Sequence, residues 1–176
     1  MDPGELEALA LEALRRADAD PEEPPPVFEI VRALLGTKVE RPAHMVTLGA
    51  THRLHGRTFV SVKASLSIQR AQHVAGHELA HILIREAALH LDDEERAADY
   101  LGACLMMPRP YVVKFHRAEG FAPAALAEEL ATTQTAAALR IAEVVNVPLA
   151  AVSPALVRVR GPESFVWGDE DAAESA

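Results

Sequence analysis

The sequence predicts an α+β protein in which helices predominate and a small antiparallel sheet precedes the central helix. Apolar residues recur at helical spacing over most of the chain, whereas β-branched and aromatic residues cluster at 44–63 and again after residue 154. No run approaches the roughly 18 apolar residues that a membrane-spanning helix needs. With 176 residues, 49% of them hydrophobic, the chain can bury one core without disulfides or a structural metal.

Two helices are expected before the sheet. The first begins at Pro3 with Asp2 as its cap. The proline-rich segment 21–26 ends this region, and a second helix runs from about residue 27 to 35 and stops at Gly36, which tolerates the left-handed backbone. The apolar side of the first helix is expected to consist of Leu6, Leu9, Leu11 and Leu14.

The sheet and the two central helices follow. Strands are predicted at 44–49 and 58–63, joined by a turn at 54–57. Helical spacing then returns at 68–86 and again at 92–107, where Pro108 follows. Because the link between these helices is short, they are expected to pack as antiparallel neighbours.

The remaining elements complete a three-part organisation. Short helices are expected near 110–118, 123–131 and 134–145, and extended segments at 155–160 and 164–167, with an acidic, disordered tail. We therefore divide the chain into the following regions: 1–108 with the sheet and the central helices, 109–150 with a helical bundle packed on it, and 151–176 with extended segments and tail.

The net charge of −9 is concentrated at the two ends of the chain. Residues 1–24 carry −6 and residues 163–176 carry −5, which leaves +2 for the body. A near-neutral body offers no broad basic surface for nucleic acid. The acidic N-terminus and the lone Cys104, which we expect to be a small buried side chain, favour a cytoplasmic protein.

The segment His77-Glu78-Leu79-Ala80-His81 predicts a metal site on the helix at 68–86. Four residues are slightly more than one helical turn, so His77 and His81 project from the same face and can bind one ion. Glu78 lies one step around the helix, near enough to contact a water on the metal, which is the position of a general base.

The third ligand is expected to be Glu95, fourteen residues after His81. A catalytic zinc ion takes three protein ligands and keeps one position open. Glu94 is the alternative, but only Glu95 has an acid, Asp99, one turn further on the same face. Asp99 can accept the free N–H of a metal-bound imidazole and fix its tautomer.

The runs HELAHILIRE and EERAADYLGACLMMP resemble the ImmA/IrrE family of zinc-dependent, gluzincin-like peptidases. The later run LAEELATTQTAAALRI resembles the helix-turn-helix-like segment of that family, so the resemblance covers roughly residues 68–145. It implies that His77, His81 and Glu95 bind zinc, with manganese as an alternative ion. It also implies that Glu78 is the catalytic base and that Asp99 supports a ligand.

The same resemblance implies a zinc-dependent endopeptidase that cleaves a helix-turn-helix repressor of a mobile element or a stress regulon, and no membrane partner. The alternative is a non-catalytic zinc protein that binds or sequesters such a regulator, which the intact Glu78 disfavours. A DNA-reading role for residues 108–150 is also disfavoured, because their net charge is zero.

The other candidate side chains receive no role from the sequence. His73 precedes His77 by a full turn and is expected to line the wall of the site. The remaining histidines of the sheet region are expected to be surface residues: His44, His52 and His55. Four side chains are conceivable donors to an oxyanion, but none is assigned: Tyr100, Tyr111, His116 and Arg117.

Overall fold

The computed structural model describes residues 2–156 and confirms a mainly helical α+β fold. The helices are α1 (Pro3–Arg16), α2 (Val27–Leu35), α3 (Ile68–Glu86), α4 (Glu94–Met106), α5 (Arg109–Glu119), α6 (Pro123–Glu129), α7 (Gln134–Val145) and α8 (Leu149–Val152). The strands are β1 (Gly49–Leu54) and β2 (Arg57–Val62). None of the helices within residues 2–156 is long and apolar enough to cross a membrane.

The two N-terminal helices confirm the predicted caps. The Asp2 carboxylate accepts from the Gly4 N–H at 2.9 Å, and Gly36 ends α2 with φ 66°. The predicted apolar side of α1 is wrong at Leu11, which is 37% exposed. Five helical positions separate Leu11 from Leu6, about 140° around the helix, so the buried face is completed by Ala10 and Ala13 instead.

The predicted strand at 44–49 is wrong except for Gly49. The turn contains two residues, His55 and Gly56, with φ 50° and 77°, so antiparallel pairing starts at Leu54 and extends back to Gly49 opposite Val62. Residues 44–48 precede the strand, and Val46 among them is 99% exposed.

The hairpin has different neighbours on its two edges. The backbone of Glu40 bonds to Val60 and Val62 at 2.9 Å on the far edge of β2. Among the described residues, β1 is therefore the edge strand of the sheet, and it lies against α3.

The pair α3 and α4 forms the centre of the molecule. The Ser67 hydroxyl caps α3 and the Asp93 carboxylate caps α4, which therefore begins two residues later than expected. The two helices approach closely at Gly102, where an added Cβ would lie 3.0 Å from backbone atoms of Gly76 and His77. The absence of a side chain at Gly102 thus sets the separation of the two helices.

The three predicted helices after Pro108 are confirmed as α5, α6 and α7. The short α8 after Pro148 is an addition to the prediction. The extended segment expected at 155–160 is wrong at its start, because Pro154 begins a helical turn that includes residues 155 and 156. The rest of that segment, the segment at 164–167 and the tail lie outside the described residues.

A buried arginine connects α7 to the rest of the fold. The Arg140 side chain is fully buried, and its guanidinium donates to Glu7 Oε2 of α1 at 3.0 Å and to Glu143 at 3.2 Å. It also forms an ion pair with Glu7 Oε1 at 2.8 Å. Its Nε donates to the carbonyl of Met107, directly after α4, at 2.9 Å. Cys104 is buried as expected, and burial raises the pKa of its thiol to about 12.

Candidate metal centre

Two imidazoles from α3 point to one place. His77 and His81 are one turn apart on a 19-residue helix, and their Nε2 atoms lie 3.1 Å from each other. The ring planes are nearly perpendicular, at 80°. Both side chains are largely shielded from solvent, with 21% and 9% of their surfaces exposed. The helix thus presents two nitrogen lone pairs to a common point.

The carboxylate of Glu95, in the first turn of α4, closes the group from the facing helix. Its Oε2 lies 3.3 Å from His77 Nε2, and its Oε1 lies 3.4 Å from His81 Nε2. Ligand atoms about 2.0–2.1 Å from a tetrahedral zinc ion are separated from one another by about 3.3 Å. The spacing and chemistry of these three donors therefore fit a zinc ion.

The other nitrogen of each imidazole contacts a carboxylate of α4. In the tautomer protonated at Nδ1, His77 donates to Asp99 at 2.6 Å and His81 donates to Glu94 at 2.7 Å. Both Nε2 atoms then keep their lone pairs for the ion. Asp99 is the acid that the sequence analysis placed here, and its role in supporting a metal ligand stays a prediction. The Glu94 contact was not foreseen, since Glu94 was considered only as an alternative ligand.

These contacts change the proton affinities of the groups involved. Burial of the His77 ring opposes protonation, but the Asp99 hydrogen bond and the nearby carboxylates outweigh it and raise the pKa of His77. The hydrogen bond from His81 lowers the pKa of Glu94, and Arg85, at 3.2 Å from Glu94, adds to the effect. The Glu94 carboxylate is therefore favoured in its charged, hydrogen-bond-accepting form.

The carboxylate of Glu78 occupies a separate position beside this group, under strand β1. A Cβ added at Gly49 would lie 2.7 Å from Glu78 Oε1 and 2.5 Å from Val74 Cγ1. Only a residue without a side chain leaves this space to the carboxylate. Burial is the main cause that raises the pKa of Glu78 above its ordinary value, so the carboxyl group holds a proton more readily than an exposed glutamate does.

The tyrosines and histidines without assigned roles lie in other contacts. Tyr100 donates to Glu143 in the cluster around Arg140. Tyr111 has Glu129 as its hydrogen-bond partner, in a pocket between α5 and α6. The ring of His116 stacks on Phe121, and that of His52 stacks on Phe59. Among the described residues, the group of potential metal ligands consists of His77, His81 and Glu95, without His73.

A comparison with family models gives one finding for this chain. The model of the family Peptidase_M78, described as the IrrE N-terminal-like domain, matches residues 35–156. The match includes the hairpin and every side chain of the site described above. No curated protein matches the sequence.

Proposed function

Because the chain belongs to the Peptidase_M78 family of IrrE N-terminal-like domains, we propose that it is a zinc-dependent endopeptidase acting on one regulatory protein. The observation that carries the proposal is the convergence of three donor atoms beside a buried carboxylate. The resemblance in sequence favours a helix-turn-helix repressor of a mobile element or a stress regulon as the substrate. We further propose a cytoplasmic location and no direct contact with nucleic acid.

His77, His81 and Glu95 would hold the ion, and Asp99 and Glu94 would orient the two imidazoles. A zinc ion there would act as a Lewis acid, polarising a peptide carbonyl and lowering the pKa of a bound water to about 7. Manganese is an alternative ion for the same donors.

Glu78 acts as the general base and then as the general acid. Its carboxylate accepts a proton from the water that attacks the peptide carbonyl, and it passes that proton to the amine of the departing half. Because burial raises the pKa of Glu78, its protonated form is accessible in the second half of the reaction. The neighbouring edge strand keeps the carboxylate in place through the space left at Gly49.

The test compares wild type with Glu78→Gln. Each protein is loaded with zinc and incubated with helix-turn-helix repressors from the same genome, and the fragments are identified by mass spectrometry. We expect defined cleavage by wild type and none by the variant, with one zinc per chain in both. If wild type binds a repressor without cutting it, the sequestering function replaces the enzymatic one.

A stability measurement distinguishes a loss of catalysis in Glu78→Gln from a loss of folding. The folded state raises the pKa of Glu78 above 4.5, so the folded protein binds the proton more tightly than the unfolded chain does. The ionised carboxylate therefore opposes folding as the pH rises through this window. We expect metal-free Glu78→Gln to have a Tm at pH 7 at least as high as that of wild type. A markedly lower Tm would contradict this reasoning.

Gly49→Ala should reduce kcat at least tenfold while the zinc content stays near one per chain. The added methyl group overlaps the positions of Glu78 Oε1 and Val74 Cγ1, so the carboxylate has to move, whereas the three ion-binding side chains are untouched. The rate of repressor cleavage gives kcat, and metal analysis gives the zinc content per chain. Ala50→Ser, on the opposite face of β1, is the matched control. Equal kcat for Gly49→Ala and wild type would show that Glu78 has another position available.

A further inference from the structure

A cleft of about 480 Å³ lies between the hairpin and the last two turns of α3. Its walls are formed by Thr51, Arg53 and Thr58 on one side and by Ile82, Arg85 and Glu86 on the other. The side chains of Arg53, Arg85 and Glu86 are exposed, so the cleft is open to solvent. No step of the mechanism above uses it.

The cleft lies along the same face of β1 as Gly49 and along the same face of α3 as Glu78. Residues 49, 51 and 53 share one face of β1, and Gly49 on that face contacts Glu78. On α3, Glu78, Ile82 and Arg85 follow one another at helical spacing on one face. At about 1.5 Å per helical residue, Arg85 lies about 10 Å beyond Glu78 along the helix axis. Arg53 lies about 13 Å beyond Gly49 along the strand.

The charges along the cleft leave one cation without a partner. Arg85 pairs with Glu94 at 3.2 Å, and Glu86 pairs with Arg16 at 3.2 Å. Within residues 2–156, Arg53 has no carboxylate within ion-pair distance, so the uncompensated charge in the cleft is positive. A pocket of about 550 Å³ between α5 and α6 differs in charge, since its lining includes one lysine, Lys114, and the following acids: Glu22, Glu23, Glu119 and Glu129.

We propose that this cleft is a substrate subsite for an acidic side chain, with the guanidinium of Arg53 as its ionic partner. The proposal rests on the proposed peptidase function, because it requires a peptide that extends from Glu78 into the cleft. An extended peptide rises about 3.3 Å per residue, so the acidic residue lies three or four residues from the cleaved bond. Guanidinium and carboxylate groups form paired, charge-assisted hydrogen bonds, which select Asp or Glu over neutral residues.

Binding is tested without turnover by NMR on zinc-loaded Glu78→Gln. The probes are three acetylated, amidated alanine-rich heptapeptides that differ only in one central residue: Glu, Gln or Lys. We expect the Glu peptide at low salt to shift the amide signals of residues 51–54 and 82–86. It should bind about twofold to fivefold more tightly than the Gln peptide, as for an exposed ion pair.

Arg53→Gln in the same background should remove the preference for Glu over Gln. Arg32→Gln, which changes an exposed arginine on α2, should keep it. Equal binding of the Glu and Gln peptides, shifts confined to other residues, or no shifts at millimolar peptide would each overturn the subsite. An acidic preference that survives Arg53→Gln would overturn the role of Arg53.

The subsite and the proposed function fail in different ways. If the Glu peptide binds through Arg53 but wild type cuts no repressor, the peptidase function fails and the carboxylate site remains. If wild type cuts the repressor but the peptides bind equally, the subsite alone fails. Where cleavage is observed, the fragments must contain Asp or Glu within four residues of the cut, and a cut without such a residue contradicts the subsite.

Discussion

Glu95→Ala is expected to weaken zinc binding by more than 100-fold, whereas Glu94→Ala should weaken it by about 10- to 100-fold. The Glu95 oxygens lie 3.3 and 3.4 Å from the two Nε2 atoms, so this substitution removes a direct donor. Glu94 instead accepts from Nδ1 of His81, and its removal only frees the imidazole to turn or change tautomer.

Zinc affinity is measured by competition with a chromophoric chelator at pH 7. Asp92→Ala provides the control, because Asp92 is an exposed acid just before α4 and contacts neither imidazole; its affinity should stay within about twofold of wild type. A larger loss for Glu94→Ala than for Glu95→Ala would reverse the two roles. If all three variants bind zinc as tightly as wild type does, α4 contributes no ligand.

Arg140→Ala is expected to lower the free energy of unfolding by about 3–5 kcal/mol. The guanidinium is fully buried, and its loss leaves the carbonyl of Met107 without its donor. Of their partners within residues 2–156, Glu7 then keeps only the ion pair with Arg109 at 3.4 Å, and Glu143 keeps only the hydrogen bond from Tyr100. When one partner of a buried ion pair is removed, the desolvation cost of the remaining charge is no longer offset. For a chain of this size, the change corresponds to a fall in Tm of roughly 6–20 °C.

Urea unfolding followed by circular dichroism measures the loss. Arg15→Ala is the matched control, since Arg15 pairs with Glu12 at 2.6 Å on the exposed face of α1, and a solvated pair contributes little to stability. A loss for Arg140→Ala as small as that for Arg15→Ala would show that the buried network is relieved by water. Unchanged zinc affinity in Arg140→Ala would separate its effect from the metal centre.

The shared faces of the candidate ligands could be predicted because they depend on helix periodicity. Positions 77 and 81 share a face in any uninterrupted helix, and the same holds for 95 and 99. The role of Glu94 depends instead on how far α4 lies from α3 and on how the His81 ring is turned. Neither quantity is encoded in the spacing of residues along one helix. The pair of consecutive acids at the start of α4 was the available signal, but spacing alone left Glu94 as a competing ligand.

The hairpin and Arg140 show a different limit. The strand expected at 44–49 followed local composition, whereas the actual register is determined by a two-residue turn at 55–56 and by contact with α3. Arg140 counted as one charge among several in residues 108–150, and its complete burial arises from a glutamate 133 residues earlier in the chain. Long-range contacts of this kind cannot be inferred from local patterns.

The close approach of α3 and α4 limits the mutations that this scaffold tolerates. At Gly102 the neighbouring atoms belong to the backbone of Gly76 and His77, so a larger residue cannot be accommodated by rotating a side chain. Even alanine would push the helices apart, and the distance between the imidazoles and the first turn of α4 would grow with it. A substitution at a position outside the candidate ligand group would thus alter the spacing of its donors.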